Sequence, residues 1–488
     1  MLEFEPFSLS ALQRALPYLR QNPSLCSDLS AGYLFLWQEG ADTRFCIRDG
    51  TLIVRQNIGE QPAFSYPIGA EPDRMIDELK EYVRCNRLPL RFYAVDEATL
   101  DKIRSDGRLS AAAWAYDRKW SDYVYSFQDM ASFQGKKFGG QRNHVNKFRK
   151  LYGEPEIRFL APSDRASVEA FLGEYGAEHA GALSLEQIEL RRAKELCTVY
   201  PALGLYAAGL FVSGELAAIS IGEVVGESLL IHVEKALTRY EGVYPTMFSG
   251  FVRLVRDRLG RDLEYVNRED DSGDPGLRTS KTQYHPILMA NKYLVHVGSP
   301  AAKMKPAFTV SYGDVVLTEI RESDKEAYLK LNVDVENNRY WGYDYREDPT
   351  ITAPIDENTF YDSVVYDMRA GDSVNFAIRL SPGGEMIGEA ILWNFTYDGT
   401  AELGCRILPA YQGRGYGKAA FRAAADFAAR RLKRRVTARC RLENEASRRM
   451  IQASGFSQVG HDDRYFYFQY GQADRTGSHE DENERERV

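Results

Sequence analysis

A short stretch near the C-terminus, residues 412–418, places a glycine at every second position in the order Gln-Gly-Arg-Gly-Tyr-Gly-Lys. Glycine has no Cβ atom, so successive backbone N–H groups can come close to an anion and converge on it. An apolar strand ending in Ile407 and Leu408 precedes the stretch, and an alanine-rich helix follows it. Because a helix start offers free N–H groups and the positive end of its dipole, this position favours a pyrophosphate. Taken alone, the pattern is more often that of an ordinary loop.

Two common phosphate-binding motifs do not describe this loop. It lacks the Gly-x-x-x-x-Gly-Lys-Ser/Thr of a P-loop nucleoside triphosphatase. It also lacks the Gly-x-Gly-x-x-Gly of a Rossmann first turn, and no acidic ribose-binding residue follows at the right distance. The loop lies instead near the end of its domain, between two late strands.

In this setting the loop resembles the Gln-x-x-Gly-x-Gly signature of the GNAT superfamily of acyl-CoA-dependent N-acyltransferases. A second hallmark is an asparagine that opens the next helix, with a serine three residues on. The resemblance covers about residues 310–470. The matching residues are Gln412, Arg414 (inside the signature), Gly415 and Gly417, then Asn444 and Ser447, and the helix-final Ala453, Gly455 and Phe456.

The resemblance implies acetyl-CoA as cosubstrate and a role for each part of the site. The backbone of Ile407 and Leu408 would bond the pantetheine arm as an added strand. Asn444 would hold the far side of that arm, and Ser447 would lie near the departing sulfur. The pyrophosphate would be bound by the N–H groups of Gln412, Gly413, Arg414, Gly415, Tyr416, Gly417 and Lys418.

Glu402, on the strand that leads to the loop, is the candidate general base. An acceptor amine must lose a proton before it attacks a thioester, and a partly buried carboxylate can take that proton directly or through water. The alternative is that Glu402 is only an outward-facing residue of an alternating strand. The sequence shows no obvious tyrosine beside Asn444 that would protonate the leaving group.

An aromatic segment, residues 337–348, joins the first two predicted helices of this domain. In GNAT folds that link borders the mouth of the acceptor site, so Trp341 and Tyr343 are candidate acceptor-binding residues. The same aromatic side chains would serve equally well as a hydrophobic plug.

The first 300 residues contain four distinctive segments, which are SYPIGA (65–70), SDYVYS (121–126), QGKKFGGQRNHVNKFRK (134–150) and YVNREDDSGDPGLRTSKTQYHP (265–286). Together these segments resemble an uncharacterised bacterial family related to the C-terminal catalytic domain of phosphatidylglycerol lysyltransferases. The resemblance implies two GNAT-like lobes side by side. It also implies an aminoacyl-tRNA donor and a lipid or peptide acceptor.

Local chemistry in this region leaves its role open. The basic run 134–150 interleaves lysine and arginine with aromatic residues and suits phosphate contacts to tRNA, or is a basic helix that balances acidic surroundings. Strand alternation places His232 and Glu234 on one face and Lys235 on the other, as an acid/base pair or as a structural one. The acidic segment 267–281 indicates a rigid ion-paired turn or a pocket for a charged head group.

Length and composition set the organisation of the chain. A chain of 488 residues is too long for one hydrophobic core. We predict an α/β (α+β layered) protein of three GNAT-like lobes, each a mixed, mostly antiparallel sheet flanked by helices. The predicted segments are lobe 1 (1–150), lobe 2 (151–297), a linker (298–309), a GNAT acetyltransferase domain (310–470) and a disordered acidic tail (471–488).

Charge and cysteine content exclude several classes. The net charge of −8 argues against a globally basic nucleic-acid-binding protein. No run approaches the length of a membrane span, and no signal-peptide pattern opens the chain. Six widely spaced cysteines indicate reduced thiols and no metal site, which predicts a cytoplasmic protein.

The sequence therefore predicts an N-acetyltransferase that moves an acetyl group from acetyl-CoA to a small-molecule or peptide amine. One alternative is an aminoacyl-tRNA-dependent transferase acting on a lipid or peptide through the N-terminal module. The other is an N-terminal module that binds a ligand without catalysis and delivers it to the C-terminal site.

Overall fold

In a computed structural model of the protein, the described residues are 2–109, 112–178, 184–304, 308–342, 344–347 and 355–471. The chain forms two compact units that divide between Gly298 and Ser299, at the start of the predicted linker. Among the described residues, three mixed, mostly antiparallel sheets flanked by helices confirm the predicted fold class. Nearly all of the predicted tail, residues 472–488, lies outside the described residues.

The N-terminal unit contains two sheets. Its strands are β1 (Glu5–Pro6), β2 (Arg44–Arg48), β3 (Thr51–Ile58), β4 (Gln61–Phe64), β5 (Ile68–Gly69), β6 (Leu90–Val95), β7 (Ala112–Tyr116), β8 (Asp122–Ser126), β9 (Glu156–Phe159), β10 (Tyr206–Val212), β11 (Glu215–Val225), β12 (Ser228–Ala236), β13 (Tyr265–Asn267), β14 (Leu288–Ala290) and β15 (Tyr293–Val297). Its helices are α1 (Leu9–Leu19), α2 (Ala31–Leu36), α3 (Pro72–Cys85), α4 (Glu97–Ser105), α5 (Phe127–Ser132), α6 (Gly139–Tyr152), α7 (Arg165–Glu178), α8 (Ser184–Val199), α9 (Val243–Leu259) and α10 (Pro275–Thr282).

The two sheets of this unit exchange strands along the chain. The first sheet has the order β1-β2-β3-β4-β6-β15-β7, with β5 beside β3, and the second has the order β14-β8-β13-β12-β11-β10-β9. The predicted lobe boundary at residue 150 is therefore wrong, because β8 lies inside the second sheet while β15 returns to the first. The pairing of β8 with β13 and β14 joins residues over 130 positions apart, and no local pattern encodes such a contact.

Two hairpin turns of the N-terminal unit consist of residue types that tolerate positive φ. Asp49 and Gly50 both adopt positive φ (48° and 71°) between β2 and β3. Ser213 and Gly214 do the same between β10 and β11, at 52° and 86°. The long helix α9 packs on the second sheet and is flanked by α5 and α6. Its buried face includes Phe248, Phe251 and Val252, which form the core of this lobe.

The C-terminal unit contains one sheet, β16-β17-β18-β19-β20-β21-β23-β22. Its strands are β16 (Thr309–Tyr312), β17 (Val315–Thr318), β18 (Val374–Arg379), β19 (Gly388–Trp393), β20 (Thr400–Ile407), β21 (Arg435–Arg441), β22 (Phe456–His461) and β23 (Tyr465–Tyr470). Its helices are α11 (Lys325–Val333), α12 (Glu357–Ala370), α13 (Tyr416–Arg430) and α14 (Glu445–Ala453). Strand β22 has no alternating apolar pattern, because only its first residue, Phe456, is buried.

Helices cover both faces of this sheet, as strand alternation shows. Phe376 and Ile378 on β18 belong to the core under α13 and α14. Ala377, the residue between them, belongs to the separate core formed with α11 and α12. No helix among the described residues of either unit is both long and apolar enough to span a membrane.

Candidate functional site

The strands β20 and β21 run parallel for only three residue pairs, Thr400 to Glu402 against Arg435 to Thr437. Beyond Glu402, β20 continues to Ile407 in contact with β19 on its other side. Over the same stretch β21 pairs with β23. The two central strands therefore diverge after Glu402, and the backbone of β20 faces an opening from Leu403 onward.

The structure changes which backbone groups can meet a ligand in this opening. The Leu408 N–H donates to the Ile387 carbonyl at 2.9 Å, so it already serves the sheet. The Ile407 carbonyl accepts from Nε2 of Gln412 at 2.9 Å and from Nδ2 of Asn337 at 3.3 Å. The strand edge that faces the opening is thus Leu403 to Arg406, one step before the predicted Ile407 and Leu408.

The glycine loop lies where β20 leads into α13. Gly413 and Gly415 have φ of 75° and 84°, which L side chains rarely adopt. A Cβ atom built on either glycine meets no protein atom within 4 Å, so the space above the loop is open. Gly417 differs, because it is helical and its Cβ would meet Ile407 at 3.5 Å. The loop therefore has the open backbone cradle that a pyrophosphate requires.

The residues around this cradle support the same use. Gly415 is the N-cap of α13 and gives the helix no side-chain cap, so the first-turn N–H groups stay available to a ligand. Arg414 and Lys418 are exposed, and Tyr416 is half-buried. Gln412 spans from the loop to Asn337, donating to its Oδ1 at 2.8 Å.

Asn444 and Ser447 meet each other at the start of α14. The Asn444 Oδ1 accepts from the Ser447 N–H at 3.1 Å, which makes Asn444 the N-cap of this helix. The Asn444 Nδ2 group makes no hydrogen bond within the described part of the chain. Both side chains are half-buried. Asn444 thus has a structural role and keeps one donor for a ligand.

Glu402 lies at the point where the strands diverge, and its side chain is 14% exposed. Its Oε1 pairs with Nε of Arg439 at 2.9 Å. Its Oε2 accepts from Nδ2 of Asn394 at 2.8 Å. Both carboxylate oxygens of Glu402 are therefore held in a fixed orientation. To accept a proton, the carboxylate would have to loosen its ion pair with Arg439.

Two tryptophans lie against the middle of β20. The rings of Trp341 and Trp393 are 6.1 Å apart between centroids. A Cβ on Gly404 would fall 2.7 Å from Trp393 and 3.1 Å from Trp341, so only glycine lets both rings pack there. Trp341 thus packs against the middle of β20, and its binding of an acceptor stays a prediction. Tyr343 lies outside the described residues.

Beneath Trp341 is a buried polar network that the sequence analysis missed. The Arg406 guanidinium lies 4.7 Å from the centroid of Trp341 and donates to Oε2 of Glu389 at 2.8 Å. It also donates to Asn338 and Asn332 at 2.9 and 3.0 Å. The alternation that puts Glu402 on one face also puts Arg406 there, and that signal could have identified it. The network gives the tryptophans a rigid support.

A second cluster of charged side chains is buried in the N-terminal unit, between its two lobes. The Lys292 ammonium contacts the carboxylates of Asp28 (2.6 Å), Asp122 (2.7 Å) and Asp270 (3.2 Å). These carboxylates outweigh the effect of burial and raise the pKa of Lys292. Burial raises the pKa of Asp28 to about 6, although Lys292 opposes that shift.

His232 lies next to this cluster, and its side chain is fully buried. Its Nδ1 is 2.7 Å from Glu269 and its Nε2 is 3.0 Å from Glu223. The same Glu223 oxygen accepts from the Gly32 N–H at 2.7 Å, which ties α2 of the first lobe to the second sheet. Burial by itself lowers the pKa of His232, but the hydrogen bonds to the two glutamates outweigh it and raise the pKa to about 9.

The predicted pairing of His232 with Glu234 is wrong. The pairing of β11 with β12 shifts register between Val233 and Ile231, so His232 has no Cα partner in β11. Simple alternation of side chains therefore fails at His232. Glu234 instead accepts from Nε of Arg268 at 2.7 Å. Lys235 pairs with Glu189 at 2.8 Å.

The acidic segment 267–281 is an ion-paired turn. Asp271 is buried and accepts from Arg278 at 2.9 Å and from Arg118 at 2.6 Å. Burial opposes the effect, but these donors together lower the pKa of Asp271. Asp274 caps α10. Within the described residues, no group of three or more His, Cys, Asp or Glu side chains is arranged to hold a metal ion.

The basic residues between 118 and 150 are mostly engaged within the protein. Lys136 and Lys150 are the two whose side chains make no ion pair or hydrogen bond within the described residues. The six already held by carboxylates or carbonyl groups are Arg118, Lys119, Lys137, Arg142, Lys147 and Arg149. Five of the eight are therefore paired with carboxylates, whereas Lys136, Arg142 and Lys150 keep a charge that no described carboxylate neutralises.

The His232 cluster predicts a pH-dependent stability of the N-terminal unit. The pKa of His232 is raised from about 6.5 in the unfolded chain to about 9. Its contribution is therefore complete below pH 6.5 and is lost as the pH rises through 9. We expect the free energy of unfolding to fall by on the order of 3 kcal/mol across that window. Thermal and urea unfolding between pH 6 and 10 measures it.

The matched control for this prediction is an exposed histidine. His232→Gln should flatten the pH dependence, whereas His461→Gln, in the other unit and exposed, should leave it unchanged. Parallel pH curves for wild type and His232→Gln would contradict the assignment.

Each of the two units matches the model of a known protein family. Residues 21–296 match the family described as phosphatidylglycerol lysyltransferase, C-terminal, and residues 314–457 match the acetyltransferase (GNAT) domain. A conserved protein of unknown function from Bacteroides thetaiotaomicron is 26% identical, with a TM-score of 0.56, over 61% of this chain and 100% of its own.

Two further proteins are more distant. L-PGS from Bacillus licheniformis is 16% identical, with a TM-score of 0.44, over 60% of this chain and 93% of its own. An uncharacterized protein of Mycoplasmoides gallisepticum is 24% identical over 182 residues, which make up 36% of this chain and 56% of that protein. Because residues 21–296 are more than half of the sequence, the chain belongs to the phosphatidylglycerol lysyltransferase C-terminal family, and it carries a GNAT acetyltransferase domain after that segment.

Proposed function

We propose that the C-terminal unit transfers an acetyl group from acetyl-CoA to a primary amine by direct attack. Both units belong to acyltransferase families, which supports an enzyme. The observation that carries the more specific proposal is the divergence of β20 and β21 directly before an open, positive-φ glycine loop. That arrangement offers a strand edge for an amide-containing arm and a cradle for a pyrophosphate in one continuous path.

The proposed site assigns one task to each group. Backbone groups of Leu403 to Arg406 bind the pantetheine arm, and the N–H groups of residues 413–418 bind the pyrophosphate, since the Gln412 N–H donates to the Pro409 carbonyl at 3.2 Å. The Nδ2 group of Asn444 donates to the arm from the start of α14. Ser447, one helical turn on, lies near the departing sulfur.

In the reaction, the amine nitrogen attacks the thioester carbonyl carbon and the carbon–sulfur bond breaks. The sulfur leaves as a thiolate and takes up a proton from solvent. The amine proton passes to Glu402, directly or through a water molecule. For this step, Glu402 must release its ion pair with Arg439 as the acceptor arrives. The cationic acceptor amine then takes the place of the Arg439 guanidinium beside the carboxylate.

Glu402→Gln tests this role, because glutamine keeps the size of the side chain and cannot accept the proton. We expect kcat to fall by about 100-fold or more while the affinity for acetyl-CoA stays unchanged. Thiol release followed with a chromogenic disulfide gives kcat, and isothermal titration gives affinity. A fall of less than threefold would remove Glu402 from the proton path.

A second candidate function is aminoacyl-tRNA-dependent transfer by the N-terminal unit. Membership of the lysyltransferase family favours it, whereas the ion pairs along α6 reduce the charge available to tRNA. A gel shift of the full chain with aminoacylated tRNA at moderate salt tests it. A shift that depends on Lys136 and Lys150 would support it.

A third candidate makes the N-terminal unit a non-catalytic binder that delivers an acceptor. It predicts that the double variant Glu402→Gln, Asn444→Ala loses all turnover yet still binds its ligand. Mass spectrometry of ligands that co-purify with the chain would identify that ligand.

A further inference from the structure

Three arginines surround one tyrosine on the sheet of the C-terminal unit. The guanidinium carbons of Arg439 and Arg441, both on β21, lie 5.0 Å from the centroid of Tyr465, and that of Arg464 lies 5.7 Å away. Arg441 and Tyr465 are direct partners in the β21–β23 pairing. We define these three arginines with Tyr465 as the arginine cluster.

The cluster lies on the face of the sheet that carries Glu402. Residues 435 to 441 alternate in burial, with Val436, Ala438 and Cys440 turned into the core. Arg439 and Arg441 therefore share the opposite face, and Arg439 reaches Glu402 at 2.9 Å. Both arginines follow Thr437, the last residue of β21 paired with β20. They consequently border the opening between the strands.

The charges in the cluster do not cancel. Glu402 pairs with Arg439. Asp462 lies near Arg464, and its carboxylate accepts from the backbone N–H groups of Arg464 and Tyr465. The guanidinium groups of Arg441 and Arg464 make no ion pair or side-chain hydrogen bond within the described residues, and that of Arg441 lies closer to the Tyr465 ring centroid, at 5.0 Å against 5.7 Å. The stack on Tyr465 holds the Arg441 guanidinium in place and leaves its donors free.

A fixed, uncompensated guanidinium beside an opening is suited to a planar or tetrahedral oxyanion, which it can bind through two parallel hydrogen bonds. This is notable in a chain whose net charge is −8. Two residues of a strand span about 6.6 Å, so Arg441 lies a few ångströms beyond the Arg439–Glu402 pair. An acceptor that reaches both would carry its amine and its anion only a few bonds apart.

We propose that Arg441, flanked by Arg439 and Arg464, binds an oxyanion of the acceptor and thereby directs the acceptor amine toward Glu402. The acceptor class is a short amino acid or an aminoalkyl phosphate, which share an amine and a nearby oxyanion. This inference rests on the proposed acetyl transfer for the direction of the amine. Binding of the oxyanion itself does not depend on that transfer.

Matched acceptor pairs test the inference on the full-length protein. The carboxylate arm compares each of a set of amino acids with its amide, and the phosphate arm compares O-phosphoethanolamine with ethanolamine. Thiol release at saturating acetyl-CoA gives kcat/KM for each member. We expect the wild type to favour the anionic member of one arm at least tenfold, and the arm that shows the preference identifies the anion.

The variant Arg441→Gln should lower kcat/KM for the favoured anionic acceptor at least tenfold and for its neutral partner less than threefold. Arg441→Lys should recover part of the loss, since it restores the charge but not the paired donors. Arg165→Gln, which removes an exposed arginine from the other unit, is the control and should change neither value. Unfolding midpoints confirm that the variants fold.

Several results would overturn the inference. The first is equal kcat/KM for anionic and neutral acceptors, and the second is an anion preference that persists in Arg441→Gln. The third is a loss of acetyl-CoA affinity in Arg441→Gln, which would assign the arginine to the cosubstrate phosphates. If acetyl-CoA binds but no acceptor turns over, or if acetyl-CoA does not bind at all, saturation-transfer NMR of the same pairs still decides. Binding of the anionic members to wild type but not to Arg441→Gln supports the subsite even when the proposed transfer fails, and no such difference rejects it.

Discussion

Replacing Gly415 by tryptophan should abolish measurable acetyl-CoA binding. The glycine has φ of 84°, and a Cβ built on it points into space with no protein atom within 4 Å. The indole would occupy the volume over the loop and displace the pyrophosphate from the N–H groups of Gly413 to Lys418. Loss of two charge-assisted hydrogen bonds at about 1.5 kcal/mol each corresponds to a rise in Kd of about 100-fold or more. Isothermal titration of wild type and variant measures it.

A second glycine provides the control for backbone strain. Gly313, in the turn between β16 and β17, also has positive φ (55°) and open space around its Cβ. Gly313→Trp imposes a similar strain, about 1–2 kcal/mol for a left-handed residue, but lies far along the chain from the loop. We expect it to bind acetyl-CoA as the wild type does. Unchanged binding by Gly415→Trp, or no binding by wild type, would reject the proposed cosubstrate.

Replacing Lys292 by methionine should destabilise the N-terminal unit by about 3–5 kcal/mol at pH 8. The ammonium is 6% exposed and lies among three carboxylates, which would remain buried without their cation. Lys292 directly precedes β15, which belongs to the first sheet although it follows the strands of the second sheet. The substitution should therefore destabilise both lobes. Urea unfolding gives the free energy, and hydrogen exchange of peptides from β8 and β15 locates the change.

The same variant should recover at low pH, and the sign follows from Asp28. Its pKa is already raised to about 6, and removal of Lys292 takes away the main effect that lowers it. A carboxyl whose pKa is raised by folding gains stability as the pH falls through that pKa. The destabilisation by Lys292→Met should therefore be smaller at pH 5 than at pH 8.

An exposed lysine serves as the control for Lys292. Lys147, on α6, pairs with Glu241, and both side chains are more than half exposed. Lys147→Met should change the free energy of unfolding by no more than about 1 kcal/mol at either pH, because surface ion pairs contribute little. An equal effect of the two substitutions, or a larger effect of Lys292→Met at pH 5, would contradict the buried-cluster assignment.

Much of the fold was readable because it is encoded locally. The Asp49-Gly50 turn, the strand pair flanking it and the long helix α9 follow from turn chemistry and apolar periodicity. The same holds in the C-terminal unit for β18 to β21 and for α13. The interleaving of β8 and β15 between the two N-terminal sheets was not readable, because it depends on pairing between residues distant in sequence.

In the candidate site too, residues within one segment were predictable from the sequence, whereas contacts between segments were not. The glycine loop, Asn444, Ser447 and Glu402 were predicted from residue type and spacing. Their partners were not, since the Arg439–Glu402 pair and the Arg406–Glu389 network each join different strands. The bulge at His232 shows the limit most directly, because one extra residue turned the predicted pairing with Glu234 into contacts with Glu223 and Glu269.

By itself, the sequence determined that this chain carries a loop of alternating glycines after a late strand, preceded by a layered α/β segment with a lysyltransferase-like pattern. A loop of alternating glycines specifies its own backbone geometry, and residues within one strand or helix specify their own faces. Only the tertiary structure decided which charges meet. The groups that hold Lys292, His232 and Arg406, and the free position of Arg441, come from separate segments that only folding brings together.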